Sequence, residues 1–445
     1  MKKIIILTLI VFAFTAKAQD NKKSFNFSLE QAISHAQANN YSAINAGRDI
    51  EASKEKKWET TAAGLPQLNA GLDYTNNFVL QRSVVPAEFF GGTPGEYADV
   101  AFGTKHNMIA SSTLSQLIFD GSYIVALQAS KTYLKFYENA KVKTEVEIKE
   151  AVINAYGNVL LAEESIAILE KNKVTLEKTL SDTKATFKNG LIEEESVEQL
   201  QITLTSINST LNYNKRLVEV AYKMLKITLG IDINDDLKLT DKLDNLTVSN
   251  LDLAFAKNEF SVSENVNYQM ALNFKEQREL ELKLQKSKAL PSLAANFNFG
   301  YTAFKDEFQF FTNNQNWFNY SNVGVSLKVP IFSSLGRSSR TQQAKIALDQ
   351  ANTQLTEAEQ KLKLQYAAAK SDYEFSIEEY ATAKSNLNLA ERIEKKQQIK
   401  FSEGLSSSFE YNDAQRQLYT GQQKYLQSMV DVINKKAALE KIINN

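Results

Sequence analysis

Apolar positions recur with a heptad spacing along two stretches of the chain. Across residues 148–180 the apolar positions are separated alternately by four and three residues, and only Lys173 interrupts the seam. The seam resumes across residues 197–225, and a weaker copy occupies residues 362–387. A sustained period of about 3.5 residues is typical of helices that supercoil against partner helices. The pattern therefore predicts two long helical hairpins, at about 122–229 and about 338–442.

Four shorter segments show the period-two alternation of a β-strand. In the first, Leu68, Ala70 and Leu72 alternate with small or polar residues, so one face is apolar and the other polar. The second alternates poorly, because serines and threonines blur its faces. A strand of about 12 residues spans roughly 40 Å, which, when tilted, approaches the thickness of the apolar core of a bilayer. The predicted strands lie at about 67–78, 107–119, 292–304 and 320–332.

The alternation by itself fits either a soluble sandwich with one wet face or a membrane barrel. Four strands cannot enclose a lumen, so a membrane barrel would need several chains. Aromatic residues gather across residues 301–320, as they do in the interfacial girdle of a membrane barrel. The long loop at 79–106, which contains Pro86 and Pro94, is predicted to lie outside the cell.

The chain is internally duplicated. Leu65-Pro66 before the first strand pair recurs as Leu290-Pro291 before the second, and the Phe-x-x-Gly-Leu turn that ends at Leu191 recurs at Leu405. A spacing of more than about 200 residues is too long for a solenoid repeat, so it indicates a duplicated half-molecule. We expect one structural repeat at 19–230 and a second at 266–445, joined by an irregular polar equatorial segment at 231–265.

The N-terminus has the pattern of a secretory signal peptide. Lys2 and Lys3 precede the apolar run 4–14, and Ala16 and Ala18 provide a small-x-small cleavage site. The run is shorter than the roughly 20 residues that a spanning helix requires. We therefore expect residues 1–18 to be removed.

The amino-acid composition of the chain excludes several classes of function. The 51 Lys and Arg residues nearly balance the 52 Asp and Glu residues, so a nucleic-acid partner is not expected. The chain contains no cysteine and only two histidines, His35 and His106. Thiol chemistry is excluded and little remains for a metal site or a catalytic triad. We expect no catalytic, cofactor or metal site and no enzyme activity.

Together these features resemble the TolC-type outer-membrane efflux protein family. The resemblance rests on residues 27–33, on the duplicated Leu-Pro and Gly-Leu elements, and on Leu225-x-x-x-Leu229-Gly230 at the end of the first half. It covers nearly all of the mature chain. It implies a mostly α fold with a β-barrel part, in which each chain of a homotrimer contributes four strands to one twelve-stranded outer-membrane barrel and long helices to a periplasmic α-barrel.

The same resemblance implies a function and a place. Such a protein is a passive exit duct of a tripartite efflux pump or a type I secretion system. It lies among outer-membrane lipids and extends into the periplasm, where its partners are an adaptor protein and an inner-membrane transporter. By resemblance, the hairpin tips dock the adaptor through Gly190, Leu191, Gly404 and Leu405. The two glycines would also cap their helices with positive φ.

The resemblance also implies a periplasmic gate at Glu410 and Asp413. Their i, i+3 spacing places both carboxylates on one helical face, so a trimer would carry two rings of three acids. The corresponding positions of the first repeat are Ser196 and Gln199, so only the second hairpin carries acids there. A solvated helix face is the alternative interpretation of this pair.

A second function of a different class stays open from the residues alone. Heptads of this length also suit a soluble periplasmic coiled-coil scaffold or an adaptor protein. An adaptor would have one helical hairpin flanked by Gly-rich β domains, whereas this chain has two hairpins and two strand pairs.

Overall fold

The structure is a computed structural model that describes residues 22–252, 254–255, 260–312 and 315–443. The predicted signal peptide, residues 1–18, lies outside the described residues. The first half comprises β1 (Ser24–Phe27), α1 (Leu29–Asn39), α2 (Tyr41–Ala62), β2 (Gln67–Asn76), β3 (Arg82–Pro86), β4 (Tyr97–Ala101), β5 (His106–Asp120), α3 (Gly121–Lys188) and α4 (Glu194–Leu229). The rest comprises β6 (Asp236–Leu239), α5 (Leu243–Ser249), α6 (Val266–Ser287), β7 (Ser292–Lys305), β8 (Phe318–Lys328), α7 (Gly336–Ser402) and α8 (Ser408–Ile443).

The chain divides into two compact units, and each unit takes segments from both sequence repeats. The sheet unit comprises Asp49–Glu138 and Met270–Thr356. The helical unit comprises Met1–Arg48, Asn139–Gln269 and Glu357–Asn445. The long helices α3 and α7 each contribute to both units, so the units of packing differ from the units of duplication.

In the sheet unit, four antiparallel strands form one sheet in the order β2-β5-β7-β8. The central pair joins the two repeats, since β5 belongs to the first and β7 to the second. β5 contains 15 residues despite its poor alternation, because strands on both sides satisfy its backbone hydrogen bonds. β8 ends at Lys328, before the expected limit near 332, since Pro330 has no N–H to donate.

The segment expected to be a loop at 79–106 carries structure of its own. β3 and β4 form an antiparallel hairpin in which Arg82 pairs with Ala101 and Pro86 with Tyr97. A 3₁₀ turn, Ala87–Phe90, follows β3 directly. The prolines and glycines that indicated a loop lie at the end of β3 and in its connection to β4, and these short strands give no sequence signal of their own.

The helical unit is anchored near the start of the described residues. Ser28 and Gln31 form a capping box at the start of α1. The Asp241 carboxylate accepts hydrogen bonds from the Leu29 N–H, at 2.7 Å, and from the hydroxyl of the buried Tyr156, at 3.0 Å. The parallel pairing of β1 with β6 completes this attachment. The equatorial segment is therefore tied to the N-terminal strand and to α3.

Gly230 ends α4 where two backbone segments meet. Its φ is +73°, and a Cβ built there would overlap the carbonyl group of Asn39. Gly190 also has positive φ, at +70°, but a Cβ there would meet nothing within 4 Å. The two glycines therefore share a backbone conformation and differ only in the space around them.

We predict that Gly230→Ala destabilises the protein more than Gly190→Ala. Both variants place a Cβ in the left-handed region, which costs about 1–2 kcal/mol, and only Gly230→Ala also forces two backbones apart. Urea unfolding followed by circular dichroism measures the difference. Equal midpoints for the two variants would show that the contact with Asn39 is not tight.

Candidate functional site

The tips of both helical hairpins end in the same backbone motif. At the first tip, the Gly190 N–H donates to the Phe187 oxygen at 2.8 Å, and the Leu191 N–H to the Thr186 oxygen at 3.3 Å. At the second, Gly404 (φ +72°) and Leu405 repeat this pattern with Phe401 and Lys400. These are Schellman motifs, which favour glycine because it adopts positive φ without strain.

The leucines that follow the capping glycines are not used by the fold. A Schellman motif commonly packs this residue against the preceding helical turn, yet Leu191 is 75% exposed and Leu405 is 77% exposed. Phe409, in the first turn of α8, is also exposed beside the second tip. Phe409 was not predicted from the sequence, although a large aromatic residue between Ser408 and Glu410 is a usable signal.

Glu410 has a structural role at the start of α8. Its carboxylate accepts hydrogen bonds from the Ser407 N–H at 3.0 Å and the Ser406 hydroxyl at 2.8 Å, while its own N–H donates to the Ser407 hydroxyl. This is a capping box. The bond from the Ser407 N–H, followed by those from the two hydroxyls, holds the pKa of Glu410 below its ordinary value. Glu410 is exposed, so within one protomer it is a capped, ionised carboxylate.

Asp413 is a partly neutralised acid. It forms an ion pair with Arg416 one turn later, and it accepts a hydrogen bond from the Gln417 amide at 2.7 Å. Asp413 and Arg416 line a groove between α4 and α8, together with Phe409. Glu410 is bonded to the preceding turn instead. The two acids predicted for the gate therefore share the start of α8 but have different partners.

Beside Asp413, the first repeat contributes an amide side chain that contacts α8. The Asn412 amide donates to Gln199 at 3.2 Å, and Thr203 donates to Asn412 at 3.4 Å. Gln199 also donates to Glu195 at 2.9 Å. Gln199 is one of the two first-repeat counterparts of the acidic pair, and it links α4 to α8 without adding charge.

An apolar cluster fixes the start of α8. Tyr411 is fully buried with leucines of α3 and α4, and its ring stacks on Phe401 at a centroid distance of 5.3 Å. Burial raises the pKa of Tyr411 to about 12. Its hydroxyl accepts a hydrogen bond from Gln415 at 2.8 Å and donates to Glu394 at 3.4 Å. Burial raises the pKa of Glu394 as well. Because the Tyr411 side chain is buried in this cluster, the side chain of its neighbour Glu410 is held at the surface.

The sheet has one polar face with a continuous hydrogen-bonded row. Thr113 donates to Asn298 at 2.8 Å, and Asn298 donates to Asn322 at 2.9 Å. Asn69 lies in register at the end of this row. The row therefore crosses all four strands with uncharged polar side chains.

The opposite face of the sheet is apolar and exposed. Its register rows place Leu68 beside Leu114, Leu114 beside Phe297, and Phe297 beside Val323. Leu68 is 71% exposed and Val323 is 73% exposed. An exposed apolar face opposite a polar one is the arrangement of a strand wall between lipid and water.

The two histidines have ordinary structural surroundings. His106 stacks on Tyr74 and shares a 2.8 Å hydrogen bond with its hydroxyl. His35 packs against Phe25 and Phe27, and burial lowers its pKa. Within the described part of the chain, no group of three or more His, Asp or Glu residues could hold a metal ion.

Known protein families and solved structures resemble this chain. Residues 269–445 match the family model described as outer membrane efflux protein. No curated protein matches the sequence significantly. Among solved structures, the outer membrane protein VceC from Vibrio cholerae is 15% identical, with a TM-score of 0.71 over 93% of this chain and 95% of that chain. The chain has the fold of the TolC-type outer-membrane efflux proteins.

Further structures of this efflux-channel fold agree. The CmeC outer membrane channel of Campylobacter jejuni has a TM-score of 0.71 at 16% identity, over 96% of this chain and 90% of that one. The open state of the MtrE outer membrane channel of Neisseria gonorrhoeae has a TM-score of 0.69 at 15% identity, over 93% and 88%. The predicted class, mostly α with strands, is confirmed. The family match is confined to residues 269–445, and the solved structures establish the fold alone.

Proposed function

We propose that three copies of this chain form a passive exit duct across the outer membrane and periplasm, serving an efflux pump or a type I secretion system. The observation that carries the proposal is the four-stranded sheet, which has an exposed apolar face and unpaired edges at β2 and β8. Inside a bilayer every backbone group must be paired, so such a sheet is stable only when copies close it into a barrel. The duct performs no covalent chemistry.

In the closed barrel, the polar face of the sheet would surround the lumen. The row of Asn69, Thr113, Asn298 and Asn322 would then line the water-filled interior, with the leucine and valine rows toward lipid. The row carries no charge, so it offers hydrogen bonds to water and to solutes of either sign. The same face also carries Asp73 and Lys328, which have opposite charges, so we look for charge selection at another level of the duct.

We place that selection at the start of α8. In a three-fold assembly, Glu410 and Asp413 each contribute a ring of three carboxylates at the periplasmic mouth. Rings of acids attract cations, and multivalent cations can bridge them. Because Arg416 pairs with Asp413, the Asp413 ring is partly neutralised, and the solvated Glu410 ring carries more of the field. Closure itself is attributed to helix packing around Tyr411, since repulsion within each ring favours opening.

Glu410→Gln combined with Asp413→Asn should abolish most of the cation preference and the block by divalent cations. Glutamine can still close the capping box, so the helix start is retained while the charge is removed. Arg416→Ala should have the opposite effect, because it releases the Asp413 charge. Single-channel recordings in planar bilayers measure both quantities.

A matched control removes the same charge elsewhere. Glu195→Gln combined with Glu198→Gln takes two acids at the same i, i+3 spacing from the first turns of α4. This control should leave selectivity close to that of the unmodified channel. Equal effects of the two double variants would mean that the cation preference follows the total acidic charge at the tips and is not specific to the Glu410 and Asp413 rings.

We further propose that the hairpin tips dock a periplasmic adaptor, which links the duct to an inner-membrane transporter. The support is the exposure of Leu191 and Leu405, two apolar side chains that the capping motif leaves without cover. Docking by such a tip would bury both leucines against an apolar partner surface.

Leu191→Asp combined with Leu405→Asp should abolish crosslinking to the adaptor while the channel still assembles. The reason is that each variant introduces a charge that the contact would have to desolvate. Leu191→Met combined with Leu405→Met keeps the apolar surface and should retain crosslinking. Persistence of both crosslinking and transport in the Asp variant would place the docking site elsewhere.

A further inference from the structure

Three aromatic side chains lie on the polar face of the sheet, near one end of it. Phe318 is 58% exposed and Phe304 is 47% exposed, and the centroids of their rings are 6.3 Å apart. Both share a face with Asn298 and Asn322, because even numbers of positions separate them along β7 and β8. Tyr320, which is also exposed, lies on the same face. The aromatic residues of this region therefore do not all face the lipid side.

The described part of the β7–β8 connection packs on the opposite face of the sheet. Its Phe310 is buried with Met108 and Ala303, which pair with each other on the apolar face. The ring of Phe310 also contacts Tyr74 edge-on, at a centroid distance of 6.1 Å, and Tyr74 pairs with Met108. These described residues therefore leave the three aromatic side chains of the polar face uncovered.

A row of small residues forms a floor beside these rings. Gly71, Ser111 and Gly300 are aligned across β2, β5 and β7, and Tyr320 ends the row on β8. The end of the Tyr320 side chain lies over Gly300, since a Cβ built on that glycine would come within 2.7 Å of the tyrosine oxygen. A glycine in a strand permits such a close approach. The row is therefore a shallow depression with an aromatic wall at the β8 side.

A carboxylate lies at the other side of this depression. Asp73 is exposed, and its Oδ2 is 4.0 Å from a Cβ built on Gly71. Among the described residues, none forms an ion pair with Asp73. The strands β2 and β7 are two strand spacings apart, roughly 10 Å. The carboxylate over Gly71 and the Tyr320 ring over Gly300 therefore bracket a space of about that width.

Asp73 sets the charge of the depression. The other charged strand residues of this face, Asp120 and Lys328, lie in the row of Ser292, at the end of the sheet where β5 continues into α3. Beyond the last paired row at the end near the rings, Lys105 and Asp306 have opposite charges and adjoin, since the Lys105 N–H donates to the Asp306 carboxylate. The depression is therefore acidic and aromatic.

We propose that this depression binds planar aromatic cations as they pass along the lumen, with the ring system on Tyr320 and Phe318 and the positive charge beside Asp73. Aromatic faces stack on other rings and attract cations. A carboxylate with no cationic partner favours a positive solute over a neutral or anionic one. The proposal rests on the proposed duct, because only a closed barrel makes the polar face a lumen.

Ethidium is a suitable probe, because it is planar, aromatic and cationic. Single-channel recordings in planar bilayers measure its block of the potassium current, and tetraethylammonium, a cation without aromatic rings, is the comparison. All forms carry Glu410→Gln and Asp413→Asn, so that the acids of the proposed periplasmic mouth do not contribute. Asp73→Asn and Phe318→Ser should each weaken ethidium block about fivefold. Phe318→Ser should leave the block by tetraethylammonium unchanged, because that cation has no ring to stack.

Two matched controls make the same exchanges outside the polar face. Glu96→Gln and Phe89→Ser alter an exposed acid and an exposed aromatic residue of the segment that joins β3 to β4. Both controls should retain full ethidium block.

The outcomes separate the site from the duct. Ethidium block that Asp73→Asn and Phe318→Ser leave unchanged would overturn the site while the channel stands. A higher potassium conductance of Phe318→Ser with unchanged ethidium block would show that the rings only narrow the lumen, which also overturns it. If Phe318→Ser does not assemble, Asp73→Asn decides alone, because it keeps the shape of the side chain. A protein that forms no channel before Asp73 or Phe318 is altered would refute the duct itself.

Discussion

An open four-stranded sheet with an exposed apolar face is the constraint on which the rest of this structure depends. Its edge strands β2 and β8 present unpaired backbone groups, and its Leu68 to Val323 row is left uncovered by the part of the chain that the structure describes. Neither condition suits a water-soluble protomer, and both are met at once by a closed barrel in lipid. Association of several copies and the proposed polar lumen both follow from this one requirement.

The hairpin ends combine ordinary helix capping with side chains that the fold of one protomer does not use. Gly190 and Gly404 cap their helices, and Glu410 closes a capping box, so each would be useful to any helical hairpin. What capping does not explain is the exposure of Leu191 and Leu405 and the charge of the α8 start. Tyr411, buried beneath, fixes that start, so the acids are presented by a rigid element.

The periodicity of apolar residues predicted more of the fold than of the candidate functional site. The heptads and the alternation of residues 67–78 predicted helices and strands because burial on one face imposes a period. Residues 107–119 were harder, since β5 is held by strands on both sides and needs little contrast between its faces. The β3–β4 hairpin was missed because its short strands lie beside prolines and glycines. The pairing of Asp413 with Arg416 has the i, i+3 spacing of a helical ion pair, so the spacing in the sequence was a usable signal for it.

Native mass spectrometry of the detergent-extracted protein tests the central claim most directly. If the sheet closes only between copies, the folded particle should have the mass of three mature chains, and no stable folded single chain should be found at any protein concentration. A monodisperse single chain with full helical content by circular dichroism would contradict the account, because its sheet edges and apolar face would then be stable without partners.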